Sequence, residues 1–174
     1  MGFSVSASAA IIFISFLIAA STLYTAWDNT YTNVQAAREY WYDLKTSRIN
    51  TLVGLNATLS TYAVDNGANT YNVTFYIQNS GNTQYLPHWS GIYDGKYVTL
   101  YNVSDDNVGW DSDYTYLLPS ETANLTVADI TLDSTQHNLT IVFGNGCWLR
   151  LSWYYNGTTV LLAPPAKGCP TEVS

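Results

Sequence analysis

AAIIFISFLIAA, residues 9–20, lies within a longer N-terminal segment, residues 1–27, that has no charged side chain. About 20 apolar residues in a helix are enough to cross a hydrocarbon layer of roughly 30 Å. Tyr24, Trp27 and Tyr31 follow, where aromatic side chains would meet the membrane–water interface. The stretch therefore predicts a transmembrane helix at the start of the chain, with a water-exposed region after it.

Three other interpretations of this segment remain open. A cleaved secretory signal would end near Ala19-Ala20-Ser21, but the segment has no basic residue at its start and is long for a signal. The hexapeptide MGFSVS at residues 1–6 fits the short pattern for N-terminal myristoylation. The segment could also be the buried core helix of a soluble domain.

The composition indicates an exposed, β-rich domain. The chain of 174 residues has 6 Lys or Arg against 13 Asp or Glu, for a net charge of −7, whereas nucleic-acid binding relies on basic patches. The 15 Tyr residues and the many Thr residues favour pleated sheet. We therefore expect no nucleic-acid partner and a region after the helix that is large enough to bury a core.

The cysteine count is consistent with one disulfide. Cys147 and Cys169 are the only cysteines, and an even number permits full pairing. A disulfide closing a loop of this length would stabilise the domain by roughly 3 kcal/mol on the chain-entropy model. Two unrelated free thiols are the alternative.

Six asparagines stand in N-x-[ST] sequons, the acceptor pattern for N-glycosylation: Asn56, Asn72, Asn102, Asn124, Asn138 and Asn156.

Charges next to the helix do not decide its orientation, because basic and acidic residues are interleaved between residues 38 and 48. The sequons and the cysteine pair instead favour a location outside the cytoplasm. We expect a single-pass protein of the cell membrane, with its C-terminal domain in the extracytoplasmic space.

Helical periodicity continues beyond the apolar segment. Four apolar residues recur at steps of three and four: Val34, Ala37, Trp41 and Leu44. No Pro or Gly follows Phe3 until Gly54, which is expected to break the helix. We therefore expect a helical anchor over residues 1–53 and one domain over residues 54–174. The stripe would pack either on the chain's own domain or on other helices of an assembly.

From Leu55 onward the hydrophobic pattern changes to a period of two, as in half-buried strands. Apolar and polar residues alternate in residues 71–78, 122–127 and 138–143. The turn signals Asp94-Gly95, Asn145-Gly146 and Asn156-Gly157 separate such runs. About seven short strands with these turns predict an antiparallel, immunoglobulin-like β-sandwich. The expected fold class is α plus all-β, a long transmembrane helix followed by this sandwich.

No catalytic pattern is present in the sequence. The two histidines, His88 and His137, lie in regions of different character, and the chain has no H-E-x-x-H, P-loop or G-x-S-x-G motif. We therefore expect neither an enzyme nor a cofactor.

One acidic cluster contains Asp105, Asp106, Asp111 and Asp113. Carboxylates at such spacing can bind Ca²⁺, but the Gly at position six and the Glu at position twelve of an EF-hand are missing. The simpler interpretation is a solvated loop without metal.

Four tryptophans of the β-rich region would stack on sugars if exposed: Trp89, Trp110, Trp148 and Trp153. Exposure would favour a glycan-binding surface module, and burial would make them part of the sandwich core.

Several motifs spread over nearly the whole chain resemble one known family. They are MGFSVS at residues 1–6, Tyr24-x-x-Trp27-Asp28 at the helix exit, IQNSGNT at residues 77–83, Tyr93-Asp94-Gly95, LPSET at residues 118–122 and Asn145-Gly146. Together they resemble the archaellum accessory FlaF (ArlF) family. The β-rich part alone is also similar to the related FlaG family.

The resemblance implies a membrane-anchored stator component of the archaeal motility machinery. In that family the β-sandwich binds the surface-layer protein and holds the static part of the motor against the torque of the filament. The N-terminal helix is also similar to that of type IV pilins, which would make Gly2-Phe3 a processing point. No basic residue precedes it, and Ala7 stands where pilins and archaellins often have Glu.

Two functional hypotheses follow. The first is the stator component, with the surface-layer protein, other archaellum components and membrane lipid as partners. The second is an archaellin-like or pilin-like filament subunit whose helices form the fibre core. Either would place copies of the chain together, as a homodimer or as a helical assembly.

Overall fold

The computed structural model describes residues 2–58, 60–65, 67–101 and 107–170, with side chains described from residue 7 onward. The chain divides into two compact units, Met1–Lys45 and Thr46–Ser174. Within the described residues it forms one long helix, α1 (Gly2–Ile49), one 3-10 turn (Leu86–His88) and thirteen strands. The strands are β1 (Val53–Leu55), β2 (Thr61–Asp65), β3 (Thr70–Asn79), β4 (Gln84–Tyr85), β5 (Ser90–Tyr93), β6 (Lys96–Val98), β7 (Val108–Trp110), β8 (Tyr116–Leu117), β9 (Thr122–Thr131), β10 (His137–Val142), β11 (Trp148–Tyr155), β12 (Val160–Leu162) and β13 (Ala166–Gly168).

The helix α1 runs for 48 residues without interruption. The part from Ala7 onward is long and apolar enough to cross a membrane, and none of its most apolar window is buried inside the chain. Large side chains such as Ile12 and Phe16 are 70% and 69% exposed. These side chains are exposed in the structure, as in a membrane-spanning helix and unlike those of a buried core helix.

The helix ends earlier than expected, and Gly54 does not end it. α1 stops at Ile49, and Gly54 lies inside β1 with Gln78 of β3 as its pairing partner. The amides of Ser80 and Asn82 donate hydrogen bonds to the carbonyls of Leu52 and Asn50, at 2.8 and 3.1 Å. These bonds hold residues 50–52 against the turn that follows β3, and tertiary contacts therefore override the helical propensity of the segment.

The strands form two larger antiparallel sheets and one small one. The first sheet has the order β1-β3-β9-β7, with β2 also paired to β3. The second has the order β12-β11-β10-β5-β6, with β13 also paired to β11, and β4 pairs with β8. The predicted class, a long apolar helix followed by an open, sandwich-like arrangement of antiparallel sheets, is confirmed.

The core lies between the two larger sheets and follows the predicted alternation. On β3 the residues Tyr71, Val73, Phe75 and Ile77 are buried, and the residues between them face outward or are half-buried. The Phe75 ring of the first sheet meets the Trp153 ring of the second edge-on, with 4.9 Å between centroids. The segments outnumber the seven expected because several edge strands are only two or three residues long.

Candidate functional site: membrane anchor and interaction surfaces

Three hydroxyl groups near the end of the apolar part of α1 are bonded within the helix. The hydroxyls of Ser21, Thr22 and Thr25 donate hydrogen bonds to carbonyls three or four residues back, at 2.9, 2.9 and 2.7 Å. A hydroxyl bonded in this way needs no water or protein partner inside a bilayer. This part of the helix therefore has the length, exposure and internal hydrogen bonding of a membrane anchor.

The stripe at Val34, Ala37, Trp41 and Leu44 is largely exposed. Val34 and Trp41 are 48% and 39% exposed, Ala37 is exposed and Leu44 is half-buried. The ammonium of Lys45 lies 4.6 Å from the centroid of the Trp41 ring, a cation–π contact within the same helix. The stripe thus presents apolar surface beyond the uncharged segment.

The last turn of α1 is hydrogen-bonded to the turn before β11. The Nδ2 group of Asn145 donates hydrogen bonds to the hydroxyls of Ser47 and Thr51, at 3.1 and 2.7 Å. The Arg48 Nε donates to the Asn145 carbonyl at 3.3 Å. Asn145 was expected only as a turn residue, and nothing in the dipeptide Asn145-Gly146 indicates these long-range partners.

The motif Asn79-Ser80-Gly81-Asn82 fastens the segment that leaves α1 to the first sheet. Asn79 is fully buried, and its Nδ2 donates to the carbonyls of Asn82 and Leu117 at 2.8 and 2.9 Å. Its Oδ1 accepts the Gly81 amide at 2.9 Å. A Cβ on Gly81 would overlap the Asn50 carbonyl oxygen and lie 2.7 Å from the Leu52 nitrogen. Glycine is therefore required for this close approach of two backbones.

Cys147 and Cys169 form a disulfide in the structure. Next to it, β13 pairs with Trp148, Leu149 and Arg150 of β11. The disulfide and this pairing together hold the C-terminal segment against the second sheet.

The five sequons within the described residues differ in accessibility. Asn72 and Asn156 are exposed, whereas Asn56, Asn124 and Asn138 are half-buried. The Asn156 Oδ1 accepts the amides of Thr158 and Thr159 at 3.0 and 2.8 Å. Asn102 lies outside the described residues, as do the acidic residues Asp105 and Asp106.

Asp111 and Asp113 are both exposed. The described residues contain no group of three or more potential metal ligands of the His, Cys, Asp and Glu types. The structure thus adds no observation in favour of a metal at this loop. At the possible processing point, Gly2-Phe3, the structure describes only the helical backbone.

His137 contributes to the packing of a hairpin. Its Nδ1 lies 2.7 Å from Asp94 Oδ2 and 3.1 Å from the Tyr93 hydroxyl, while its Nε2 is buried without a partner. Asp94 and Gly95 have φ angles of +46° and +82°, as in a type I′ turn of a hairpin. Asp94 Oδ1 also accepts the Asn138 amide at 2.8 Å, so the cluster fixes the β5–β6 turn against β10.

Three of the four tryptophans belong to the sandwich core, the alternative to a sugar-stacking surface. Trp89, Trp110 and Trp153 are 6%, 4% and 0% exposed, and Trp148 is half-buried. Burial of these large rings stabilises the sandwich, which explains why they are not on the surface.

Tyrosines form the exposed aromatic surface instead. Tyr85 of β4 and Tyr116 of β8 lie with ring centroids 5.2 Å apart and are 40% and 57% exposed. His88 meets Tyr85 edge-on at 4.7 Å. We call these three residues the tyrosine patch.

The first sheet has an open edge at β2. Within the described residues this strand pairs only with β3, and most of its residues are exposed. Tyr62 of β2 and Val160 of β12 line a groove of about 340 Å³ between the two strands. An edge strand with free backbone groups is a site where another strand can be added.

Comparison with known proteins gives one family and a set of similar structures. A family model described as archaeal-type flagellin matches residues 2–153. No curated protein sequence matches the chain. The solved structure of the archaellum periplasmic stator protein FlaG from Sulfolobus acidocaldarius is 17% identical, with a TM-score of 0.42 over 59% of this chain and 98% of that chain. The complex of the periplasmic stator proteins FlaF and FlaG from the same organism gives 19% identity and a TM-score of 0.41, over 59% and 88% of the two chains.

Proposed function

Because the chain belongs to the archaeal-type flagellin family, a family of structural archaellum components, we propose that it is a membrane-anchored, stator-like component of the archaellum. The helix α1 holds the protein in the cell membrane as a single span. The sandwich domain lies outside the cytoplasm and binds the surface-layer protein. In this proposal the protein is not an enzyme.

The distribution of charge along α1 carries the proposal. Residues 9–20 are apolar on every face, and the uncharged segment ends at Asp28. Residues 7–27 span roughly 30 Å at about 1.5 Å per residue, the thickness of one hydrocarbon layer. A helix in the middle of a fibre would be surrounded along its whole length and would need an apolar surface on all sides, which α1 has only as far as Trp27.

The sequons and the disulfide support the extracytoplasmic location of the domain. Disulfides persist in oxidising compartments and are rare in the cytosol. Asn72 and Asn156 are exposed, so we propose them as the sequons most accessible to a glycan. An oligosaccharide at either position would extend into solvent without moving a core residue.

Two surfaces of the domain suit a lateral load against the surface layer. The open edge β2 could pair with a strand of the lattice through main-chain hydrogen bonds. The tyrosine patch offers rigid aromatic anchors, the residue type that dominates interface energies. We assign the lattice contact to the tyrosine patch. The β2 edge remains free to join two copies of the domain in a weak homodimer.

Co-sedimentation with purified surface-layer sheets tests the proposal. The full chain in detergent should pellet with sheets from its own organism, with an affinity that depends on salt. Tyr116→Ser should weaken binding at least tenfold, because it removes a ring from the patch. Tyr154→Ser is the matched control, because Tyr154 is an exposed tyrosine (39%) outside the patch.

A filament subunit is the second candidate, and the family description itself favours it, since the model of archaeal-type flagellins matches 2–153, nearly the whole chain. If the protein stays in the supernatant at every salt and divalent-ion concentration while the full chain polymerises into fibres, the stator proposal is wrong. The filament hypothesis then replaces it.

A further inference from the structure

Beyond its apolar segment, α1 has the seven-residue repeat of a coiled coil. With Trp27 at heptad position a, the a positions are Trp27, Val34 and Trp41, and the d positions are Thr30, Ala37 and Leu44. Five of these six residues are apolar. Apolar residues at a and d sustained over three heptads are typical of helices that pack against another helix. We call these six residues the seam.

The seam is exposed within the chain. Trp27, Val34 and Trp41 are 75%, 48% and 39% exposed, Thr30 and Ala37 are also exposed, and Leu44 at the end of the seam is half-buried. As a single helix in water, this part of α1 would leave large aromatic side chains exposed. Contiguous exposed apolar surface is typical of an interaction site. Within the described part of the unit Met1–Lys45, no second helix packs on the apolar side chains of the seam, although their spacing is typical of helices that pack in pairs.

Charges on α1 lie outside the seam, and their positions select the kind of partner. Asp28, Glu39 and Asp43 occupy positions b, f and c, while Arg38 and Lys45 occupy e. In a parallel pair of helices, position e of one helix faces position g of the other. The g residues are the neutral Asn33 and Tyr40, so a second copy opposes no like charges.

An antiparallel pair of the same helices would be unfavourable. It would bring the e positions of the two copies together, and both Arg38 and Lys45 are basic. In the parallel pair, Lys45 faces Tyr40 of the second copy, and an aromatic ring next to an ammonium is a favourable contact. Bulky Trp27 and Trp41 at a alternate with small Thr30 and Ala37 at d, a pattern that lets layers interdigitate.

We propose that α1 packs against α1 of a second copy, parallel and in register, along the seam from Trp27 to Leu44. The proposal rests on the proposed membrane anchorage in one respect, since two chains inserted in the same direction present their seams at the same height. It does not depend on binding to the surface layer. The partner is another copy of this chain, joined through the helix and independently of the sandwich edges.

Disulfide trapping in membranes tests this pairing. The two native cysteines are joined to each other, so a single introduced cysteine supplies the only free thiol. Ala37→Cys places that thiol on the seam, and Ala36→Cys places it one residue away, at position c. Both replace an exposed helical alanine. Upon mild oxidation of the full chain, Ala37→Cys should give at least ten times more cross-linked dimer than Ala36→Cys.

Equal yields from the two variants, or no dimer from Ala37→Cys while a maleimide labels its thiol, would overturn the proposal. A second substitution on the Ala37→Cys background adds a check: Val34→Lys should reduce the dimer at least fivefold, and Gln35→Lys should leave it unchanged. If both substitutions had the same effect, the seam would not be the interface.

The cross-linking experiment also distinguishes an in-register helix pair from a fibre, and its outcome is independent of binding to the surface layer. Neighbouring helices in a fibre are displaced along its axis, so position 37 of one copy would not meet position 37 of the next. A ladder of trimers and larger products from a variant with cysteines at positions 37 and 44 would therefore contradict the in-register pair. Binding to surface-layer sheets is measured separately and can fail while the cross-link still forms.

Discussion

Single residues decide how the chain leaves its helix. Because Gly81 has no side chain, the backbone of residues 50–52 can pass close to it. The Asn79 side chain makes three hydrogen bonds that hold the turn in which Gly81 lies. A buried amide with all its partners is stabilising, whereas the same turn with one partner removed would leave buried polar groups unpaired. The turn therefore requires both residues together.

We expect Gly81→Ala to lower the free energy of unfolding by about 2 kcal/mol or more, because the added methyl group overlaps backbone that cannot move without breaking hydrogen bonds. Gly54→Ala is the control. A Cβ at Gly54 meets no atom within 4 Å, so that variant should be neutral or more stable by up to about 1 kcal/mol. Urea unfolding of both variants measures the difference, and equal stabilities would contradict the role of Gly81.

Tyr93 should make the domain sensitive to alkaline pH. Burial raises the pKa of its phenol, and the nearby Asp94 carboxylate raises the pKa further. Below about pH 10 the phenol is protonated in the folded and unfolded states, so stability is unaffected there. Above that pH the unfolded state loses its proton first, and the free energy of unfolding falls as pH rises.

Unfolding midpoints between pH 8 and pH 11 measure this effect. In the Tyr93→Phe variant the decline above pH 10 should be shallower, because one of the groups that titrate on unfolding is gone. An identical slope in the variant would mean that the phenol titrates normally in the fold.

The sequence identified turn residues but not their long-range roles. Asn145 was expected in a turn, and Asn79 also stands beside a Ser-Gly-Asn run, because Asn and Gly favour the backbone conformations that turns need. Their side-chain partners lie 38 residues and more than 90 residues away, and local propensity carries no information about such distances. Tertiary geometry alone shows that the two turns also fasten the end of α1.

Among the secondary-structure elements, the long central strands were predictable and the short edges were not. β3, β9, β10 and β11 alternate apolar and polar residues because one face of each is buried. β2 is mostly exposed, so its sequence has no alternation to detect. α1 ends four residues earlier than expected for a related reason: hydrogen bonds from the turn at residues 80–82, and not Gly54, accompany its end.

We expect residues 50–174 to fold without the membrane helix, because both larger sheets and the core lie within them. Far-ultraviolet circular dichroism should show an all-β spectrum with a cooperative thermal transition. A strongly helical spectrum would contradict the division of the chain into a helical anchor and a β domain.

Reduction of Cys147–Cys169 should release β13 without unfolding the sheet beside it. The amides of Ala166–Gly168 should lose protection from hydrogen exchange, whereas the β10–β11 ladder, with six paired residues on each strand, should stay protected. Reduction should also cost roughly 3 kcal/mol of stability. Loss of protection across the whole domain would show that the disulfide holds more than its own strand.

For the molecule as a whole, the proposed topology predicts that a reagent outside the cell reaches the domain but not the membrane span. Gln136→Cys lies in an exposed loop of the domain, so a membrane-impermeant maleimide added to intact cells should label it. Ser15→Cys, inside the proposed span, should stay unlabelled until the membrane is dissolved. Labelling of Gln136→Cys only after lysis would place the domain in the cytoplasm.

The disulfide also limits how far the domain can be stretched. It closes a loop of sequence separation 22, and a fully extended chain spans at most about 3.6 Å per residue. If the domain were pulled apart from its two ends, roughly 80 Å of contour length would stay locked behind the covalent bond. Under oxidising conditions the extended domain would therefore reach less far than its residue count suggests.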